Sequence, residues 1–110
     1  MQSQSLIRAV VDAAALRHNL RQVRRTAPDS RVMAVIKANA YGHGLVPAAK
    51  ALADADGFAV ARIGEGLALR AAGLTNRILL LEGVFSAEQL AAAAQARFEL
   101  MVHSVEQLEL

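Results

Sequence analysis

The chain repeats one rhythm, a short apolar run, a loop and then a helical pattern, with runs beginning near Val32, Phe58, Arg77 and Phe98. The runs read Val-Met-Ala-Val-Ile, Phe-Ala-Val-Ala, Ile-Leu-Leu-Leu and Phe-Glu-Leu-Met-Val, the length and composition of buried strands. Parallel strands must be joined by a crossover, most simply a helix. A repeat of roughly 20 to 26 residues holds one strand and one helix, so the pattern predicts parallel β/α architecture.

The helical segments carry their own punctuation. Leu45, Ala48, Ala49, Leu52 and Ala53 share one helix face, with Pro47 in the first turn, where its missing N–H does no harm. Ile63 to Ala72 predicts a short helix closed by Gly73. Glu65 lies between Gly64 and Gly66, which should loosen that helix start by about 1 kcal/mol each relative to alanine. Ser86 and Gln89 stand at capping-box spacing ahead of a helix to Arg97, and Ser104 and Gln107 repeat the spacing before Leu108. Ahead of these units, Leu6 to Val11 is apolar enough for a strand, Asp12 is a suitable N-cap, and residues 13 to 27 predict an amphipathic helix stopped at Pro28.

No Gly-rich dinucleotide fingerprint follows any strand, which argues against a nucleotide-binding fold. A (β/α)8 barrel of typical size needs about 250 residues. The expected fold is therefore the N-terminal part of a TIM-like (β/α)8 barrel: about four β/α units preceded by one strand and helix, incomplete as given. Composition agrees, since 55% hydrophobic residues against 20% charged is globular and somewhat greasy for 110 residues. A net charge of only +2 does not argue for nucleic acid, and Arg17, Arg21, Arg24 and Arg25 flank the apolar stripe Leu16, Leu20 and Val23 as a solvated helix edge would. The absence of cysteine excludes disulfides and thiolate metal sites. Apolar runs break well before membrane-spanning length, so a soluble, cytoplasmic protein is expected.

The first run stops at Lys37 and breaks into a glycine-punctuated loop. Strand alternation predicts Met33, Val35 and Lys37 on one face and Val32, Ala34 and Ile36 on the other. An amine at the C-terminal end of a parallel strand stands where such sheets place their chemistry, and a partly desolvated amine can attack a carbonyl. Tyr41 offers a phenol in the same loop, and the helix that starts after Gly44 could assist with negative charge. On residue type alone, a solvated strand-end lysine and a loop tyrosine are the plainer reading.

The octet Lys37-Ala38-Asn39-Ala40-Tyr41-Gly42-His43-Gly44 resembles the cofactor attachment motif of bacterial alanine racemases, fold-type III pyridoxal-phosphate enzymes. Further matches follow in the family's order: Ala15 to Asn19, Gly57 to Ala61, Ala68 to Gly73, and Ile78 to Gly83. The resemblance implies that Lys37 attaches pyridoxal phosphate and serves as one of two bases at the substrate α-carbon, and that Tyr41 helps hold the cofactor phosphate. It implies L-alanine and D-alanine as substrates, D-alanine supply for peptidoglycan, and a cytoplasmic homodimer with shared active sites.

In such enzymes the opposing base is a tyrosine of a C-terminal β domain of the partner subunit, whereas Tyr41 is this chain's single tyrosine. Residues 1 to 110 are thus expected to be the N-terminal portion of the cofactor-binding barrel, without the C-terminal half-barrel and β domain, and inactive alone. His43 is expected to shape the loop, His18 and Asn19 to hydrogen-bond to neighbouring loops, and His103 to support the strand-end edge. Two other expectations remain open: a non-catalytic pyridoxal-phosphate carrier on the same barrel, and a racemase of another amino acid such as serine.

Overall fold

The structure, a computed structural model, describes residues 6–110. Four strands, β1 (Met33–Val35), β2 (Gly57–Val60), β3 (Arg77–Leu80) and β4 (Phe98–Leu100), form one parallel sheet in chain order. Between and around them run α1 (Ala13–Thr26), α2 (Lys37–Tyr41, a single turn), α3 (Leu45–Ala51), α4 (Ile63–Ala71), α5 (Ala87–Gln95) and α6 (Val105–Leu108). A doubly wound sheet reverses its strand order at a switch point. This one does not, and its consecutive β/α units have the strand order that an arc of a β/α barrel requires.

Register separates the two faces. Ala34, Phe58, Ile78 and Phe98 form one cross-strand row, and Val60, Leu80 and Leu100 another on the same face. These rows meet the helices: Phe58, Val60, Ile78 and Leu80 are fully buried and join Leu69, Ala49 and Ala93 in one core. Burying each such side chain contributes about 1.5–3 kcal/mol, so this face dominates the stability. The opposite face carries Met33 and Val35, Gly57 and Ala59, Arg77 and Leu79, and Glu99. Met33 and Val35 remain 39% and 45% exposed there. Arg77 and Glu99 form an ion pair across the same face, with Nε donating to Oε1 at 2.9 Å.

The helix ends follow their sequence signals. Asp12 Oδ1 accepts from the amides of Ala14 and Ala15 at 2.9 and 3.2 Å, capping α1. Ser86 and Ser104 each accept from the amide three residues on, and Gln89 and Gln107 reach back to accept from the amides of Phe85 and His103. Gly73 leaves α4 at φ +90, and the Leu74 amide reaches back to the Leu69 carbonyl.

Three expectations change. The strand over Leu6–Val11 is not formed: residues 6–12 belong to no strand, and Leu6, Ile7, Val10 and Val11 are exposed. Apolar composition marks a surface that favours cover, but a strand also needs a regular ladder of backbone hydrogen bonds. The start of α4 is firmer than its glycines suggest. Glu65 Oε1 accepts from the amides of Ala61 and Arg62 at 2.9 and 3.1 Å, and a Cβ on Gly66 would lie 2.7 Å from Phe98 Cζ. Gly66 therefore exists to let the β4 aromatic ring against the helix.

Nor is Arg24 a merely solvated flank. It pairs with Asp56 at 3.3 Å and donates to the Asp54 carbonyl, while Asp56 Oδ2 also accepts from the Val32 amide at 2.6 Å. That amide, with help from the Arg24 guanidinium, holds the Asp56 carboxyl below its usual range. Asp56 thus ties α1 to the entry of β1.

Arg70 makes a comparable tie on the far side. Its guanidinium donates to the carbonyls of Ala96, Leu74 and Asn76 and lies 5.5 Å from the Phe98 ring centroid. Partial burial, with Arg97 nearby, lowers its pKa from the usual value.

Candidate functional site at the strand ends

The parallel register that aligns Val35, Ala59, Leu79 and Glu99 brings the next residues of all four strands to a common C-terminal edge. Lys37, Arg62, Glu82 and His103 follow β1, β2, β3 and β4 in turn at this edge. Arg62 Nε lies 3.5 Å from Glu82 Oε2, an exposed pair worth little by itself. His103 Nε2 lies 2.6 Å from the Leu81 carbonyl, so this ring clasps the ends of β3 and β4 together. An open cleft of about 630 Å³ runs between Arg62, Glu65, Glu82, Phe85 and Gln89, and Lys37 does not line it.

The alternation predicted for β1 holds for Met33 and Val35 and then ends. Ile36 leaves the extended region at φ −126, ψ 27, although its amide still bonds the Ala59 carbonyl at 2.9 Å. The placement of Lys37 is therefore set by the turn that follows rather than by the pleat.

That turn is the least expected element of the chain. Ala38, Asn39, Ala40 and Tyr41 have φ of 53, 57, 55 and 55, a left-handed turn built without glycine. Left-handed backbone costs an L-residue about 1–2 kcal/mol, so the surroundings must hold this conformation in place. The Ala40 amide donates to Ile36, and the buried Ala40 methyl anchors the turn in the core. Gly42 and Gly44 donate to the Asn39 carbonyl at 3.1 and 2.9 Å, and the Leu45 amide donates to Asn39 Oδ1 at 2.8 Å. His43 Nδ1 lies 2.9 Å from the Ala40 carbonyl, in keeping with a loop-shaping histidine.

Lys37 opens this turn half-exposed, and Tyr41 closes it at 61% exposure. Among the described residues, no hydrogen bond or ion pair engages either polar head. Both are available to a ligand. The start of α3 offers an anion less than its glycine entry suggests, since Asn39 takes the Leu45 amide and Pro47 has none. His18 stands apart, an exposed α1 residue 3.4 Å from Gln22 Nε2. Sequence reasoning noted Asn39 only as a letter of the octet. The one available signal was its type, since asparagine tolerates left-handed backbone better than other non-glycine residues.

A β/α-barrel arc with an unengaged amine at the end of its first strand, beside a rigid turn carrying a phenol, defines a β/α-barrel protein whose chemistry belongs at the strand ends. More narrowly, the chain belongs to the alanine racemase family: residues 11–110 match the model described as "Alanine racemase, N-terminal domain". An alanine racemase of Yersinia pestis bv. Antiqua (strain Angola) is 60% identical over 100 residues, covering 91% of this chain and 28% of the relative.

Among solved structures, the alanine racemase of Acinetobacter baumannii superposes with a TM-score of 0.86 at 39% identity, over 90% of this chain and 29% of that one. The biosynthetic alanine racemase of Pseudomonas aeruginosa gives 0.85 at 49% identity, over 90% and 28%. The chain thus spans a little over a quarter of the length of the relatives it matches.

Proposed function

We propose that the protein carrying this chain interconverts L-alanine and D-alanine with pyridoxal phosphate, with residues 1–110 as the N-terminal portion of its cofactor-binding barrel. The observation that carries the reading is Lys37, an available amine at the strand-end edge of a chain from this family. Pyridoxal phosphate needs a primary amine for attachment and donors for its phosphate. Lys37 and Tyr41 supply one of each from the two ends of a single turn, so these residues fit it.

When bound, the cofactor supplies an electron sink for charge developing at the substrate α-carbon. Lys37 attaches it and then, released by the substrate, takes or returns the α-proton through Nζ on one face. Tyr41 donates its phenol to the cofactor phosphate and so fixes the ring's reach. Racemisation needs a proton carrier on the opposite face as well. The resemblance to the family implies that this carrier is a tyrosine of a partner subunit, and on that ground we take the working unit to be a homodimer. D-alanine made this way would serve peptidoglycan synthesis in the cytoplasm. Among the described residues, no helix is long and apolar enough to cross a membrane.

The test uses the longer protein, wild type and Lys37→Ala, with pyridoxal phosphate. Borohydride should fix the cofactor to the wild type only, and racemisation of L-alanine should fall at least 10³-fold in the variant, on the order of a lost base and attachment point. Activity in Lys37→Ala within tenfold of wild type would refute the assignment. L-serine assayed in parallel distinguishes a racemase of that substrate.

A further inference from the structure

We propose that Asn39 is a positioning residue that holds the left-handed turn between Lys37 and Tyr41 and thereby sets cofactor affinity. The inference rests on the assignment of those two residues. Three loop amides converge on Asn39: Gly42 and Gly44 on its carbonyl and Leu45 on its side-chain oxygen. The last bond joins the turn to the first residue of α3, a helix whose N-cap, Gly44, makes no side-chain capping bond of its own. Asn39 thus serves α3 as a cap from six residues upstream, and α3 packs against α1 and α4.

Neither the Lys37 amine nor the Tyr41 phenol is held by a hydrogen bond or ion pair of its own among the described residues. Their placement therefore depends on the backbone that joins them, whose left-handed φ values each L-residue disfavours. A residue in this position must tolerate positive φ and present an acceptor on a short side chain. Asparagine and aspartate do both, glycine only the first, and alanine neither.

That ordering is the test, on the longer protein with Asn39→Ala, Asn39→Gly and Asn39→Asp. Cofactor dissociation is followed by absorbance, kcat and KM by racemisation, and folding by thermal melting. Asn39→Ala should weaken cofactor affinity on the order of tenfold, the scale of one lost hydrogen bond. The loss should appear mainly in kcat at subsaturating cofactor, and excess cofactor should recover it. Asn39→Asp should stay within about twofold of wild type.

If Asn39→Ala does not fold, Asn39→Gly decides, because it keeps the backbone conformation and loses only the acceptor. Its affinity should fall several-fold while the variant still melts cooperatively, at most a few degrees below wild type. Cofactor binding at the wild-type level in Asn39→Gly, or loss in Asn39→Asp equal to that in Asn39→Ala, would overturn the proposal. Lys37→Ala is the separate control. Loss of borohydride fixation there upholds the cofactor reading whatever Asn39 does, and persistence removes that reading on its own evidence.

Discussion

The two faces of one sheet divide the labour of this chain. On the helix side, the central strands present Phe58, Val60, Ile78 and Leu80, all fully buried. On the other side the same strands present Gly57, Ala59, Arg77 and Leu79, beside the part-exposed Met33 and Val35. The first face is large, apolar and sealed, and the second is smaller, partly charged and open at Met33, Val35 and Arg77, with Gly57 and Ala59 buried between them. Stability is therefore concentrated on one face, and the opposite face and the strand-end edge are left to carry chemistry.

The contrast breaks most directly at Phe58. Truncation to alanine should cost about 3–5 kcal/mol by chemical denaturation, because a fully buried ring leaves a cavity among fixed neighbours. Its counterpart on the open face, Val35→Ala, should cost about 0.5 kcal/mol or less in this chain. A comparable loss at both sites would mean that the open face is covered in solution.

A sharper probe is the glycine pair at the start of α4. Gly66→Ala should destabilise by roughly 1–3 kcal/mol, since its new methyl would meet the Phe98 ring. Gly64→Ala meets nothing within 4 Å and should stabilise by about 0.5–1 kcal/mol through helix propensity alone. Opposite signs from identical chemistry two residues apart would locate the sealed face to a single helix turn, and equal signs would refute that packing.

The smallest effect concerns the tie at the sheet's entry. The folded-state pKa of Asp56 lies below its ordinary 3.8, so the contribution of its carboxylate is fully present above that value and is lost as pH falls through the lowered folded value. Melting curves from pH 7 to pH 2 should show Asp56→Asn less stable than wild type at neutral pH, with the two converging in acid. A gap that widens in acid would reverse the assignment.

Most of the sealed face was legible in the sequence, because period and punctuation are local. The runs at Val32, Phe58, Arg77 and Phe98 became strands, and Asp12, Ser86 and Ser104 became caps, since each signal acts within a few residues of its source. What escaped was non-local. Leu6–Val11 had strand composition but does not enter the sheet. Gly66 looked like a weakness until Phe98, 32 residues away, was seen to need its space. Arg24 read as an ordinary helix arginine, and its carbonyl and carboxylate partners, Asp54 and Asp56, lie 30 and 32 residues along the chain.

At the candidate site, Lys37 and Tyr41 were marked by motif, whereas the left-handed turn between them was not. Alanine at positive φ contradicts its own propensity, and the bonds gathered by Asn39, those of Ala40 to Ile36 and His43, and the burial of Ala40 hold it there.

The unbroken strand order also bears on how such a chain is made. Each strand pairs with the one synthesised just before it, so within these four units no backbone partner waits for a distant segment. As the nascent chain leaves the ribosome, the sheet can grow along a single advancing edge, one crossover at a time, with short loops to close at each step. The Lys37 turn lies on the first of these strands and is bonded to β2 through Ile36 and Ala59. Its scaffold can thus be laid down before β3 and β4 have emerged.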